Sequence, residues 1–238
     1  MPSLRATLAA AAAILASTAA HAAVITYGVT PPGPPLLVSL QKTNFSTAVS
    51  VPLFDSTLGT LTGVRFTLAG TVRSAVGIEN HGRATTTITV TSQASLTLTR
   101  PDSSTLVVTI PVQVATRTES PFDGKIDFAG TSGFTFPGLT GRLSTSSGNL
   151  TSVNDLALFS EVNGGSILLP VTAVGQSTAR GGGNIITSIS TQASAGVVVA
   201  YTYDVAPAPP PVNIPEPASL ALFGLGLLST RLFRHRHH

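Results

Sequence analysis

Between residues 23 and 205 the chain alternates apolar and polar side chains with a period of two wherever a pattern is clear. Val64, Phe66, Leu68 and Val72 interleave with Arg65, Thr67, Ala69, Thr71 and Arg73. Ile88, Val90, Ala94, Leu96 and Leu98 interleave with a Thr-rich set from Thr87 to Thr99. Leu106, Val108, Ile110, Val112 and Val114 interleave with Thr105, Thr109 and Gln113, which predicts those valines inward and the polar residues outward. Side chains of a strand point alternately to opposite faces, so each run predicts a strand with one buried and one wet side. Further strand-like runs cover 157–162, 167–174, 185–190 and 197–203. Turn chemistry separates the runs at Pro101-Asp102-Ser103-Ser104, Pro121-Phe122-Asp123-Gly124, Asn163-Gly164-Gly165 and Gly181-Gly182-Gly183-Asn184. No helix of ten or more residues is predicted in this stretch, and no fixed-period repeat is present. The expectation is an all-β fold, an antiparallel β-sandwich of jelly-roll-like type over residues 23–205.

The two ends break the pattern. Residues 1–22 open with Arg5, continue through an apolar, helix-prone run and close on Ala20-His21-Ala22. That is the layout of a secretory signal peptide, with Ala20 and Ala22 as the small residues read by signal peptidase and Ala23 as the mature N-terminus. Its apolar run falls short of the ~20 residues needed to span a bilayer. At the other end, residues 206–213 form a Pro/Ala-rich linker, which favours an extended, semi-rigid chain. Residues 214–238 then carry Pro215-Glu216-Pro217, an apolar stretch over 218–228, and a basic end with Arg231, Arg234 and Arg236. Proline is tolerated only at a helix start, so a short membrane-entering helix is expected to begin after Pro217. The three arginines hold its far end at the cytoplasmic face as a stop-transfer tail.

Composition sharpens this division. Charged residues make up 10% of the 238-residue chain, against about 25% in ordinary soluble domains, and Ser and Thr take the polar positions instead. There is no cysteine, which removes disulfides, thiol catalysis and thiolate metal sites. The net charge of +3 suggests a basic protein, yet it belongs to the ends. Without Arg5 and the three tail arginines, nine basic residues face nine acidic ones over 23–213. Nucleic-acid binding draws on a surplus of basic residues, so no nucleic-acid partner is expected.

Candidate chemistry in the mature region is thin. His81 is the one histidine between the targeting segments, and a hydrolytic serine needs such a base. It lies in the turn-like Glu79-Asn80-His81-Gly82-Arg83, without a Gly-x-Ser-x-Gly elbow anywhere in the chain. Glu79, Glu119 and Glu161 are too dispersed to mark a glycosidase pair. Asp123 and Asp127 flank Gly124-Lys125-Ile126, a weak calcium pattern better read as a turn. Gly181-Gly182-Gly183 lacks the Lys-Ser/Thr of a phosphate loop. Tryptophan is absent, which disfavours a stacking sugar site. The sequons at Asn44 and Asn149 read as chance matches. No catalytic, cofactor-binding or metal-binding residue is assigned; no cofactor and no enzymatic activity are expected.

The ordered triad of Pro215-Glu216-Pro217, apolar helix and terminal basic cluster resembles the PEP-CTERM sorting signal of exported bacterial proteins. The resemblance implies recognition by an exosortase, an intramembrane cysteine transpeptidase that cuts near the tripeptide and passes its substrate toward the cell surface or matrix. A second set of segments is similar to the choice-of-anchor E domain: Val51-Pro52-Leu53-Phe54-Asp55 through Val64, Ile78-Glu79-Asn80, and Tyr201-Thr202-Tyr203 before the linker. That resemblance implies a β-rich surface domain and no catalytic residues. Together these suggest a non-catalytic surface or extracellular-matrix (biofilm) protein. Its expected partners are the export machinery, signal peptidase, an exosortase, the membrane transiently through the C-terminal helix, and exopolysaccharide or other surface proteins. The alternatives are an adhesin module binding polysaccharide or protein and, behind it, a secreted hydrolase.

Overall fold

The computed structural model describes residues 21–28 and 36–205. The expected signal helix, the linker 206–213 and the sorting segment 214–238 lie outside the described residues. Among those described, the strands in chain order are β1 (Ala22–Tyr27), β2 (Leu36–Lys42), β3 (Phe45–Pro52), β4 (Phe54–Asp55), β5 (Gly59–Asn80), β6 (Thr86–Thr99), β7 (Thr105–Thr109), β8 (Val112–Glu119), β9 (Gly133–Ser146), β10 (Ser160–Glu161), β11 (Ser166–Arg180) and β12 (Ile185–Val205). One short helix, α1, covers Val153–Leu158.

The strands form two five-stranded antiparallel sheets. The first runs β1-β12-β5-β9, with β2 following β1 along the same edge of β12. The second runs β3-β11-β6-β7, with β8 following β7 along the same edge of β6. Each sheet thus has one edge split between two short strands, and proline marks both splits. Pro111 has no N–H to give a ladder, and it separates β7 from β8. Four of the five residues between positions 31 and 35 are proline, and this run separates β1 from β2. Pro137 sits in the irregular register of β9, another edge strand, where a missing donor costs little. The two-residue strands β4 and β10 form a separate parallel pair, the one departure from antiparallel pairing among the described residues.

The central strands are far longer than the five or six residues usual for a globular protein. β5 has 22 residues; at about 3.3 Å each it runs roughly 70 Å along its contour. It pairs with β12 from Gly59↔Val205 to Asn80↔Ile185. The sequence runs 185–190 and 197–203 are therefore one strand. The small residues between them, Ser194 and Gly196, keep the ladder without adding apolar signal.

Inner faces of both sheets share the core. A large cluster gathers Val64, Phe66, Leu68 and Val72 of β5 with Leu96 and Leu98 of β6, Leu169 and Val171 of β11, and Val197, Val199 and Tyr201 of β12. A smaller cluster lies further along the same strands, with Val76, Ile78, Ile88 and Val90. Between them runs a layer of hydroxyls. Ser74 Oγ donates to Thr191 Oγ1 at 3.4 Å, Thr191 and Ser177 share a 3.0 Å hydrogen bond, and Ser177 Oγ donates to Ser92 Oγ at 3.1 Å. Gln113 enters beside this layer as the cross-strand partner of Ser92. Among the described residues neither of its amide atoms has a hydrogen-bond partner.

That position of Gln113 reverses a sequence expectation. Thr109 and Gln113 are buried, whereas Val108, Ile110, Val112 and Val114 are exposed. The cause is a register shift in the β6–β7 ladder, where Leu98 pairs with Val107 but Thr99 pairs with Thr105. The consecutive residues Leu106 and Val107 are both buried there. One extra residue in a strand moves every later side chain to the other face. A second correction concerns 157–162, read as a strand. Ser152 caps α1 instead, its Oγ accepting from Asp155 N at 3.1 Å, and only Ser160–Glu161 is extended.

One end of the core is closed by aromatic contacts between distant segments. The Tyr201 hydroxyl donates to Pro52 O at 2.7 Å. Its ring lies 6.0 Å from those of Tyr27 and Phe54, and Tyr203 lies 5.0 Å from Phe54. Burial of the phenol, with Tyr27 beside it, pushes the Tyr201 hydroxyl well above the ordinary value of 10.0.

Two outcomes are expected. Replacing Tyr201 with Phe removes one buried hydrogen bond and lowers unfolding free energy by about 1–2 kcal/mol. Because the folded state raises this pKa, its contribution is complete below about pH 10 and is lost as pH rises through the folded value. Denaturant melts of the wild type should therefore weaken above pH 10 more steeply than those of Tyr201→Phe. Replacing Gln113 with the similarly sized Met removes an unpartnered buried amide, and the unfolding free energy from denaturant melts should rise by about 1 kcal/mol.

Candidate functional site

The residues singled out from the sequence fall into three groups. Pro215, Glu216, Pro217, Arg231, Arg234, Arg236 and Ala20 lie outside the described residues. Ala22 is the first residue of β1, paired with Asp204 near the end of β12, and His21 O accepts from Val205 N at 3.3 Å. The ladder therefore begins one residue before the expected mature terminus at Ala23.

The mature-region candidates gather mostly at the end of β5 but do not converge as a reactive set. His81 follows β5 directly. Its backbone N donates to Asn184 O at 2.8 Å, its Nδ1 lies 3.1 Å from Asn184 Nδ2, and its ring lies 4.4 Å from that of Phe122. These contacts join the β5 and β12 ends of the fold, and among the described residues no serine or carboxylate is a hydrogen-bond partner of the imidazole.

Glu79 is fully buried. Its Oε2 accepts from Phe128 N at 2.9 Å, and its Oε1 accepts from Ser132 Oγ. Ser132 Oγ in turn accepts from Asp123 N at 3.3 Å. Gly133 is needed here because a Cβ on it would lie 2.3 Å from Glu79 Oε2. The next residue, Asn80, is also fully buried. Its Nδ2 donates to Ala84 O at 2.8 Å and Ser120 O at 2.7 Å, while its Oδ1 accepts from Gly82 N at 2.9 Å. Together Glu79 and Asn80 clamp the segment 120–133 and the turn after β5 against the sheet. Ile78-Glu79-Asn80 stands out in the sequence as a motif. Its role as a clamp was illegible because the clamped groups are backbone N–H and C=O, which carry no residue signal.

Glu119 is buried and pairs with Arg117, with Nε and Oε1 2.6 Å apart. The Arg117 guanidinium stacks 3.7 Å over the Phe134 ring, which ties β8 to β9. Glu161 ends β10 and pairs with Asp55 of β4 in the parallel bridge. Asp123 Oδ1 accepts from Lys125 N at 3.1 Å and Oδ2 from Thr131 N at 3.4 Å. Those backbone N–H groups, the Lys125 bond foremost, hold its carboxyl below the ordinary carboxylate value. Asp127 Oδ1 accepts from Ala129 N at 3.0 Å. Both carboxylates thus shape turns of one loop, and among the described residues no group of three His, Cys, Asp or Glu side chains is placed to hold a metal. Gly182 O accepts from Thr86 Oγ1 at 2.6 Å, which fixes the β11–β12 turn to the start of β6.

Comparison with known proteins adds a result at the C-terminus. No curated protein matches the chain. Solved structures aligned with it include particles of infectious bursal disease virus. Derived T=1 particles share 12% identity over 97% of this chain and 52% of theirs, with a TM-score of 0.15. The T13 viral particle shares 11% over 88% of this chain and 47% of its own, with a TM-score of 0.16. The chain therefore spans about half the length of those it aligns with. Residues 213–236 match the family model of the PEP-CTERM protein-sorting motif. This match covers the tripeptide, the apolar stretch and the three tail arginines, and so the chain carries a C-terminal PEP-CTERM sorting motif.

Proposed function

We propose that this protein is a non-catalytic building or adhesive component of a bacterial surface or extracellular matrix, delivered there by an exosortase acting at Pro215-Glu216-Pro217. The carrying observation is the sorting motif over residues 213–236. The division of labour along the chain supports it. Proline on both sides of Glu216 stiffens the tripeptide and leaves it no N–H at two of three positions, so it suits recognition in an extended form. The apolar run that follows holds it beside the membrane, and Arg231, Arg234 and Arg236 resist passage of the end through it.

The folded region fits a passive, displayed part. Its jelly-roll-like sandwich puts the polar groups that a sequence scan would nominate for chemistry to structural use. Glu79 holds a loop, Glu119 holds an arginine, and His81 joins two strand ends. Cysteine-free stability, resting on long ladders and one extended core, suits an exposed environment where thiols are oxidised.

The test is intact mass, measured by cell fraction in the native host. Wild type should reach the surface or medium lacking both residues 1–22 and the basic tail. Glu216→Ala should keep the tail and stay in the membrane fraction, with the β domain equally protease-resistant. Normal trimming of Glu216→Ala would sink the proposal.

A further inference from the structure

The near-neutrality of the folded region conceals a separation of charge. Among the described residues the ion pairs are Arg100–Asp155 and Arg117–Glu119. Lys42, Arg65, Arg73 and Arg142 have no acidic partner, and the ladder registers put all four on the outer face of the first sheet. Cross-strand partners share a face. One row there reads Lys42 on β2, Gln192 on β12, Arg73 on β5 and Thr140 on β9. The row two residues away reads Ser194, Thr71 and Arg142. Arg65 pairs with Ala200 further along β5, and its Nε donates to Ser147 O at 3.4 Å.

Strands lie about 4.8 Å apart and rise about 3.3 Å per residue. Lys42 and Arg73 are thus roughly 10 Å apart and Arg73 and Arg142 roughly 8 Å apart, in a band that crosses the strands. In the rows from Arg142 toward Arg65, Ala69 faces Gly196 and Ser144, Gly196 pairs with the exposed Leu37 of β2, and Thr67 Oγ1 shares a 2.8 Å hydrogen bond with Ser146 Oγ. In the ladders of this sheet the acids are Asp204, paired with Thr60 at the far end, and Glu79, which is buried beneath its loop. Asp123 and Asp127 ride on that loop, beyond Ala75, and make no ion pair with the band.

From this charge complementarity we infer that the outer face of the first sheet binds a linear, carboxylate-bearing polysaccharide, laid across the strands along Lys42, Arg73 and Arg142. The cations meet carboxylates, and Thr71, Thr140, Gln192 and Ser194 offer hydrogen bonds to sugar hydroxyls. The band presents no aromatic ring on which a base could stack, and three or four cations are few for phosphate-backbone binding. Leu37 of β2, exposed beside Gly196, lies at the margin of the band, and the vesicles used below test a membrane partner directly. This inference supplies the ligand class for the surface role proposed above and rests on that role only for where the ligand is met.

The test uses the purified full chain in a zwitterionic detergent with immobilised polygalacturonate, neutral dextran, a single-stranded DNA 30-mer and phosphatidylglycerol vesicles as probes. Wild type should bind polygalacturonate in a salt-sensitive manner and ignore dextran. Lys42→Ser/Arg73→Ser/Arg142→Ser should weaken binding about tenfold. The charge-keeping pair Arg73→Lys/Arg142→Lys should stay within about threefold, and Arg231→Ser/Arg234→Ser/Arg236→Ser within about twofold, of wild type. Should the triple face variant melt early, Arg142→Ser on the edge strand β9 is read instead, with a loss of about twofold. Undiminished binding by the face variants, binding lost only with the tail arginines, or equal capture by dextran overturns the inference. Tighter, face-dependent binding to DNA or vesicles overturns it in favour of those partners. Because no processing step enters the assay, a negative result leaves the sorting role standing, and failed sorting leaves this result standing.

Discussion

Everything else in the fold hangs on the ladder between β5 and β12. Paired over almost their whole lengths, these strands carry the first sheet from one end to the other and present the inner faces on which both hydrophobic clusters form. Such a pairing joins residues more than a hundred positions apart, so its closure entropy is met only when the intervening chain has also found its place. The second sheet supplies the other wall. Its strands β6 and β11 sit opposite the same two clusters, and the loop clamped by Glu79 and Asn80 covers the outer side of β5 where the ladder ends.

The hydroxyl layer between the clusters shows how so long a core is divided. A continuous apolar slab of this length would permit strands to slide by two residues with little loss. Ser74, Ser92, Ser177 and Thr191 bond one another only in the observed register, and sliding would set them against apolar neighbours. The layer therefore acts as a register mark that hydrophobic burial alone does not supply.

Much of this was legible in the residues. Alternation located β5 and β6 because both have one uniformly apolar side, and Gly181–Asn184 correctly marked the turn between β11 and β12. Legibility failed where the face changed without a change of composition. Val108 to Val114 keep perfect alternation, but the bulge just before them turns them outward. At 157–162 a capping serine outweighed an apolar run. The C-terminal motif was readable because a sorting signal is linear: its recognition needs order along the chain, not folding. By contrast, the charged band of the first sheet is assembled from β2, β5 and β9, which are scattered in sequence, and a net charge near zero hides it. The short segments around Pro52, Phe54, Tyr201 and Tyr203 stood out separately in the sequence. In the fold they are one aromatic contact.

The placement of β12 has a mechanical consequence. It is an interior strand, held by β5 on one side and by β1 and β2 on the other, and its last residue leads directly into the chain that carries the sorting motif. A pull applied through that tether does not peel an edge one rung at a time. It loads two ladders in shear at once, so many hydrogen bonds must give together before the domain opens. A load that enters through the C-terminal end of this domain therefore meets the part of its sheet best built to bear it.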